Sequence, residues 1–490
     1  MSDPTDSKTR REFLKVTAAT AASATLAACG NSTSPVVDGS VAIVDAQPVV
    51  DAVAIDAEST PDAAPDAGSP DAAVVEPPDA VPFTTSFGLD VASGDVTHSN
   101  AVLWTRYDGV AALRLGVWEM ADDTYVRTVM DNVVTPADGG FIHVDVPGLA
   151  AGRHHRYAFF EMDGDTRMAR SEIGRFRAAI ADDVTEPLIF AATSCADQGR
   201  DFEVLGPAAA RDDIDLFMFL GDTVYADGAD SVAEYRAKWN ENLSKAPFRA
   251  LRKSTSVLAT WDDHEVDNNW DAESIGAAQF ANATQAFFEN QPLRRDGTNP
   301  NRVWKSIRWG LTAEVFVLDS RGERKPSTVG EANEQYLSTE QMAWLKQALL
   351  DSPAVFKIIM NSVAITNFPG LFDLAANDRW EGYPQQRTEI LSHIDTNSIG
   401  GVLWLSGDFH LCSVQRVDTS GVGSSQIEAL VGPLDQTGNP LAFGLLQPQF
   451  DFARVTLNFT TIELDPANTR VTLRWHGSKG AAFETHTFDL

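Results

Sequence analysis

Beyond residue 185 the chain alternates apolar runs of strand length with stretches at helical spacing such as SVAEYRAKWNENL and STEQMAWLKQALLDS. That alternation predicts a layered α/β domain over residues 185–490. Six of the apolar runs end in polar residues: PLIFAATSC, DLFMFLGDTVY, SVLATWDDHE, AEVFVLDSR, VFKIIMNS and GGVLWLSGDFH. Ligands of open α/β sheets collect outside the carboxyl ends of the strands. Those ends carry Cys195, Asp222 with Tyr225, Asp262 with Asp263 and His264, Asp319, Asn361, and Asp408 with His410. Upstream, residues 84–180 hold shorter runs (AVLWTRY, LRLGVWEM, FIHVDV, RYAFFEM, EIGRFRA) broken by Gly, Asp and Pro turns. They predict a small all-β sandwich and no helix. After Leu411, ARVTLNFTTIELD and TRVTLRWHG predict further strands closing a second sheet, with no long helix to form a lid.

The first 81 residues follow neither pattern. Residues 1–29 carry Lys8, Arg10, Arg11 and Lys15 ahead of the small-residue apolar run Val16 to Ala28, too short for a permanent span. TRREFLK has the twin-arginine form, and LAAC, ending at Cys29, has the form of a lipoprotein processing box. The expectation is a twin-arginine lipoprotein signal, lipidation at Cys29, and a periplasmic or outer-surface protein on a lipid anchor. Export in the folded state through that machinery suits a protein loaded with metal beforehand. Residues 30–81 repeat PDA at Pro61, Pro65, Pro70 and Pro78, with ten acidic residues and no cation. Such a segment cannot bury a core and reads as a disordered acidic tether.

Composition narrows the function classes. The 490 residues include 43% hydrophobic ones, enough for a large core, and carry a formal net charge of −31. A general nucleic-acid binder needs clustered cations that this balance lacks. Three cysteines are too few for a disulfide scaffold.

Several carboxylates meeting at one sheet edge repel unless cations lie between them. The mixture of carboxylate, amide, imidazole, phenol and thiol suits a trivalent or borderline metal beside a harder divalent one. Two adjacent metals point to hydrolysis, and in-line phosphoester cleavage by hydroxide suits them best.

The runs GLDVASGDVTHSNAVLWTR, TSCADQG, LGDTVY, WDDHEVDNNW, LDSRGER, EQMAWLKQAL, WEGYPQQR and SGDFH, in that order, resemble the alkaline phosphatase D (PhoD) family of calcineurin-like metallophosphoesterases. The resemblance covers about Phe87 to His410. It implies an αββα core preceded by a small β-sandwich, Fe3+ and Ca2+ as cofactors, and hydrolysis of small phosphomonoesters or phosphodiesters. Carried over, it makes Cys195, Asp222, Tyr225 and His410 iron ligands, with Asp222 bridging to a second metal. Asp263, Asp408 and Asn361 follow as further ligands, and Asn268 and Asn269 as candidate carbonyl donors. His264 falls where the superfamily has a substrate-facing histidine, and is assigned to polarise the phosphoryl group or protonate the leaving oxygen. Phosphodiesterase or phospholipase-type specificity on the same site, and a non-catalytic surface lipoprotein, are the competing readings.

Plainer roles compete at several positions. Cys195 and Cys412 can form a disulfide instead, since Cys412 points the same way as His410 if the strand continues through both. Asp262 and Asp263 can cap the next segment, with Asp263 the preferred ligand. Arg387 can approach a phosphate or pair with a carboxylate, and Asp319 with Arg321 reads as a structural ion pair. The sequence has LGDTVYADG where the family commonly has a bulkier LGDYIYE, which leaves substrate choice open.

Overall fold

The computed structural model describes residues 80–368, 377–439, 445 and 448–490. The predicted signal segment with Cys29, and all but the last two residues of the predicted tether, lie outside the described residues.

All six polar-ended runs form strands, and they divide three and three between two sheets. The nine-stranded sheet runs Ala482–Asp489, Arg470–His476, Phe459–Asp465, Leu188–Thr193, Leu216–Leu220, Ser256–Thr260, Val91–Gly94, Asn100–Arg106, Phe141–Pro147. The seven-stranded sheet runs Lys305–Trp309, Ala313–Val317, Phe356–Met360, Val402–Ser406, Ile427–Leu430, Cys412–Arg416, Phe450–Arg454. Parallel pairing sets the register: Leu220 lies beside Thr260 in one sheet, and Met360 beside Leu405 in the other. Parallel strands need crossovers, and the helices Val232–Leu243, Ala246–Ser254, Thr339–Asp351 and Pro384–Thr396 lie within them.

Side-chain alternation explains why these strands are apolar on both faces. In the second sheet Val315, Val317, Ile358, Met360, Leu403 and Leu405 join the core shared with Phe190, Met218 and Leu258 of the first. Their neighbours Phe316, Leu318, Ile359 and Trp404 pack outward on Met342, Leu345, Ile390 and Ile394 of two helices. The result is a layered α/β domain, as the periodicity predicts, with the two sheets between helices that the resemblance implies.

The N-terminal region differs from a free-standing sandwich. Five strands, Leu113–Ala121, Thr124–Val134, His154–Asp163, Thr166–Arg170 and Gly174–Arg177, form their own sheet. Three others extend the nine-stranded sheet, because Ser93 and Gly94 pair in parallel with Ser256 and Val257. At the far end, ARVTLNFTTIELD does not close one sheet. Its start ends the strand Phe450–Arg454 of the second sheet, and its remainder, Phe459–Asp465, pairs antiparallel with Leu188–Thr193 of the first.

Candidate metal centre

The strand ends of the two sheets are tied together at one rim. Ser194 Oγ donates to the Val431 carbonyl at 2.8 Å, Thr260 Oγ1 to the Leu318 carbonyl at 2.8 Å, and Trp261 Nε1 to Asp319 Oδ1 at 2.8 Å. Just past these ties the backbone turns sharply. Cys195, Asp222, Asp408 and His410 all adopt left-handed conformations, with φ of 59°, 52°, 64° and 52°. Such conformations are costly for residues with a β-carbon and concentrate at functional sites. Here they swing consecutive side chains off the strand direction and toward a common centre.

Three overlapping groups of ligand atoms result, each with all members within 4.8 Å of one another: Cys195, Asp222 and His410; Asp222, Asp263 and His264; Asp262, Asp263 and Asp408. Asp222 belongs to two of them. Tyr225 joins the first, its Oη 3.2 Å from Asp222 Oδ2 and 3.2 Å from His410 Nε2. Buried atoms Asp222 Oδ1 and Asp263 Oδ1 have no hydrogen-bond partner. An unpartnered buried carboxylate oxygen is expensive, so these atoms, with the donor chemistry around them, fit cations.

Electrostatics point the same way. Asp222, Asp262, Asp263, Glu265, Asp378 and Asp408 crowd this floor, and Arg321 and Arg324 are the guanidiniums that pair with carboxylates there. Burial, then the charge of Asp263, raises the Asp222 carboxyl well above its ordinary range. Burial, then Asp262, does the same to Asp408. Burial and Asp222 raise the thiol of Cys195 and the phenol of Tyr225. Each of these shifts favours the protonated form, and a bound cation would act in the opposite sense. His410 is lowered by burial and then by His264, which keeps a neutral lone pair for a ligand.

His264 is arranged differently. Its Nδ1 lies 2.8 Å from Asp227, and its ring stacks on Tyr225 with centroids 3.9 Å apart. Burial lowers its affinity for a proton, but Asp222, the bond to Asp227 and Asp263 outweigh burial and push it up to about 10.

Hydrogen bonds and ion pairs engage the remaining expected residues. Asn361 is engaged at both ends of its amide, accepting from Ser320 Oγ at 2.6 Å and donating to the Val363 carbonyl. Asn269 offers its backbone N–H, not a carbonyl, to Asp263 Oδ2 at 2.7 Å, and Asn268 beside it is exposed. Arg387 holds the pairing role: it bonds Asp418 at 2.8 Å and the carbonyls of Ile365 and Val417. Arg321 pairs with Asp262 at 2.7 Å and Asp378 at 2.6 Å, while Asp319 accepts from Trp261 and two backbone N–H groups. Cys195 and Cys412 are both free. The left-handed turn at Asp408 and His410 ends strand geometry before Cys412, whose thiol donates to the Arg454 carbonyl at 3.2 Å.

Two participants escaped the sequence reading. Asp227 lies five residues beyond Asp222 in a stretch that reads as a polar loop. Glu265 lies within WDDHE, where three acids surround one histidine and spacing alone does not separate ligand from support.

Two mixed sheets packed face to face, with carboxylates, imidazoles, a thiol and a phenol meeting at their shared rim, define a metallophosphoesterase-like fold and site. Comparison with known proteins agrees. The family model of PhoD-like phosphatases matches residues 190–455, and that of their N-terminal domain residues 73–180. The chain belongs to the PhoD-like phosphatase family. It is 27% identical over 380 residues to alkaline phosphatase D of Bacillus subtilis (strain 168), a match covering 66% of this chain and 64% of that protein, just under two thirds of its length. A solved structure of PhoD superposes with a TM-score of 0.70 at 22% identity, covering 82% of this chain and 89% of the other. The purple acid phosphatase PPD1 from yellow lupin (Lupinus luteus) seeds gives 0.61 at 13% identity, covering 81% and 73%.

Proposed function

We propose that the chain is a metal-dependent phosphohydrolase that cleaves small phosphomonoesters or phosphodiesters at the strand-end rim. The observation that carries this reading is Asp222, shared by two adjacent ligand groups of different donor chemistry. Cys195, Tyr225, His410 and Asp222 suit Fe3+, and the oxygen-rich side with Asp263 and Asp408 suits Ca2+. Cations bound there would draw hydroxide from water at neutral pH and neutralise the phosphoryl oxygens.

The protein's own groups do the rest. With Nδ1 committed to Asp227, His264 presents Nε2 away from that carboxylate, where a proton can pass to the departing oxygen. Arg321, fully buried and bidentate on Asp262, keeps that carboxylate off the centre and leaves Asp263 and Asp408 for ligation. Export by the twin-arginine route and a lipid anchor at Cys29 belong to the same proposal, supported by TRREFLK and LAAC.

The test pairs p-nitrophenyl phosphate with bis-p-nitrophenyl phosphate on protein matured in its exporting cell. Activity lost to a chelator, restored by metal and absent in Asp222→Ala supports the reading. Full activity and metal content in that variant reject it, and the ratio of the two rates separates monoesterase from diesterase.

A further inference from the structure

Glu265 is fully buried, and its carboxylate accepts three backbone N–H groups from two loops. Oε2 takes those of Asp222 at 3.1 Å and Asp262 at 2.9 Å, and Oε1 takes that of Thr223 at 2.5 Å. The first loop carries Asp222, and the second carries Asp263 and His264. These loops also touch through their backbones. A β-carbon added to Gly221, whose φ is 88°, would come within 2.5 Å of Asp262 Cβ and 2.8 Å of Asp262 N.

Backbone N–H groups that have just left a strand must find acceptors, and buried ones find no bulk water. One carboxylate serving three donors from both loops makes the loops a single rigid piece. Its two oxygens are occupied by these bonds, so Glu265 is support and not a ligand. The Asp222 backbone is held in its left-handed conformation by the same bond, which fixes where that side chain stands relative to Asp263. Two-metal hydrolysis depends on a separation of about 3.5–4 Å between ions.

We infer that Glu265 is a positioning residue that sets the spacing of the two cation sites by clamping the Asp222 and Asp262 loops together. The inference rests on the proposed metal-dependent function. All three partners are donors. Glu265→Gln therefore turns an NH2 group toward a donor in either orientation and keeps at most the two bonds made by one oxygen.

The experiment strips the full-length matured protein with a chelator and titrates it with Mn2+, following calorimetry and the electron paramagnetic resonance spectrum. Wild type is expected to bind two ions per chain with a spectrum showing that they are magnetically coupled. Glu265→Gln should keep a native circular dichroism spectrum and bind the first ion. Its second ion should bind at least tenfold more weakly, inside the about 10–100-fold range typical when a ligand's support is lost, and the coupling should disappear. Glu265→Asp, which keeps the charge, should recover part of both, and supplies the reading if the glutamine variant does not fold. Two ions bound with unchanged affinity and coupling in the variants, alongside a lower melting temperature, would make Glu265 purely structural and overturn the inference. Wild type that binds no Mn2+ would instead overturn the metal-dependent reading beneath it.

Discussion

The phenol oxygen of Tyr225 stands 3.2 Å from Nε2 of His410. The two residues come from different sheets and meet only because the chain turns left-handed at Asp222 and again at His410. A phenol and an imidazole that close, with a thiol in the same ligand set, form a soft-to-borderline site. With ferric iron there, as proposed, phenolate or thiolate ligation absorbs visible light, and the matured protein should be coloured. Tyr225→Phe and Cys195→Ser should each shift or bleach the visible band. Iron-free, colourless and fully active wild type would reject the assignment of Cys195 and Tyr225.

Above about pH 6.5, where the buried histidines of lowered proton affinity are neutral in both states, metal-free protein should lose stability as pH rises toward 10. Burial pushes Glu265 up to about 7 and Asp319 up to about 6, and His264 stands at about 10. The unfolded chain releases these protons near 4.3, 3.9 and 6.5. Between the two sets of values the native state holds more protons than the unfolded one, so each step upward in pH favours unfolding. The contribution of His264 is complete below about 6.5 and gone above about 10. Melting temperatures of chelated protein at pH 7 and pH 9 check this, with the lower value expected at pH 9. Metal-loaded protein should not follow the trend, because cations take over the role of the protons.

Most of the frame was legible before the fold was known. Each of the six apolar runs became a strand, as their short length and polar ends indicate where both faces are buried, and residue type at their ends brought Cys195, Asp222, Asp263 and His410 to one place. What the sequence could not separate were residues of the same type with different partners. Asp262 and Asp263 are adjacent, yet one takes two hydrogen bonds from Arg321 and the other keeps an oxygen with no hydrogen bond, 3.8 Å from the same guanidinium. Arg387 carries donors that suit a site, but they are spent on Ile365, Val417 and Asp418. Sheet membership was equally hidden. That Val91–Gly94 pairs with Ser256–Thr260 as well as with the nearby Asn100–Arg106 depends on contacts across more than 150 residues, which local periodicity does not encode.

Arg321→Met should destabilise the protein by about 3–5 kcal/mol, the cost of leaving buried carboxylates without their partner. The guanidinium bonds Asp262 and Asp378 and lies 3.8 Å from both Asp263 and Asp408. Arg321→Lys keeps the charge but not the planar fork, and should recover only part of the loss. Urea unfolding of the metal-free variants measures both. By contrast Arg387→Met, which breaks the links to Asp418, Ile365 and Val417 and none to a ligand group, should lower stability while leaving KM for p-nitrophenyl phosphate unchanged.

The last prediction concerns the contact between loops. Gly221 has φ of 88°, and its α-carbon faces Asp262 so closely that a methyl group would overlap that residue's N and Cβ. In Gly221→Ala two penalties add: about 1–2 kcal/mol for a left-handed alanine and about 1–3 kcal/mol for overpacking. Relief is available only by moving the Asp222 loop away from the Asp262 loop, since the strands behind them are locked in register from Leu216 to Leu220. The variant should therefore lose about 2–5 kcal/mol of stability and also bind metal more weakly, with kcat falling more than KM rises. Thermal unfolding, elemental analysis and steady-state kinetics on one preparation measure all three. A variant that is less stable yet keeps wild-type metal content and kcat would mean that the loops yield elsewhere and that their contact does not govern the centre.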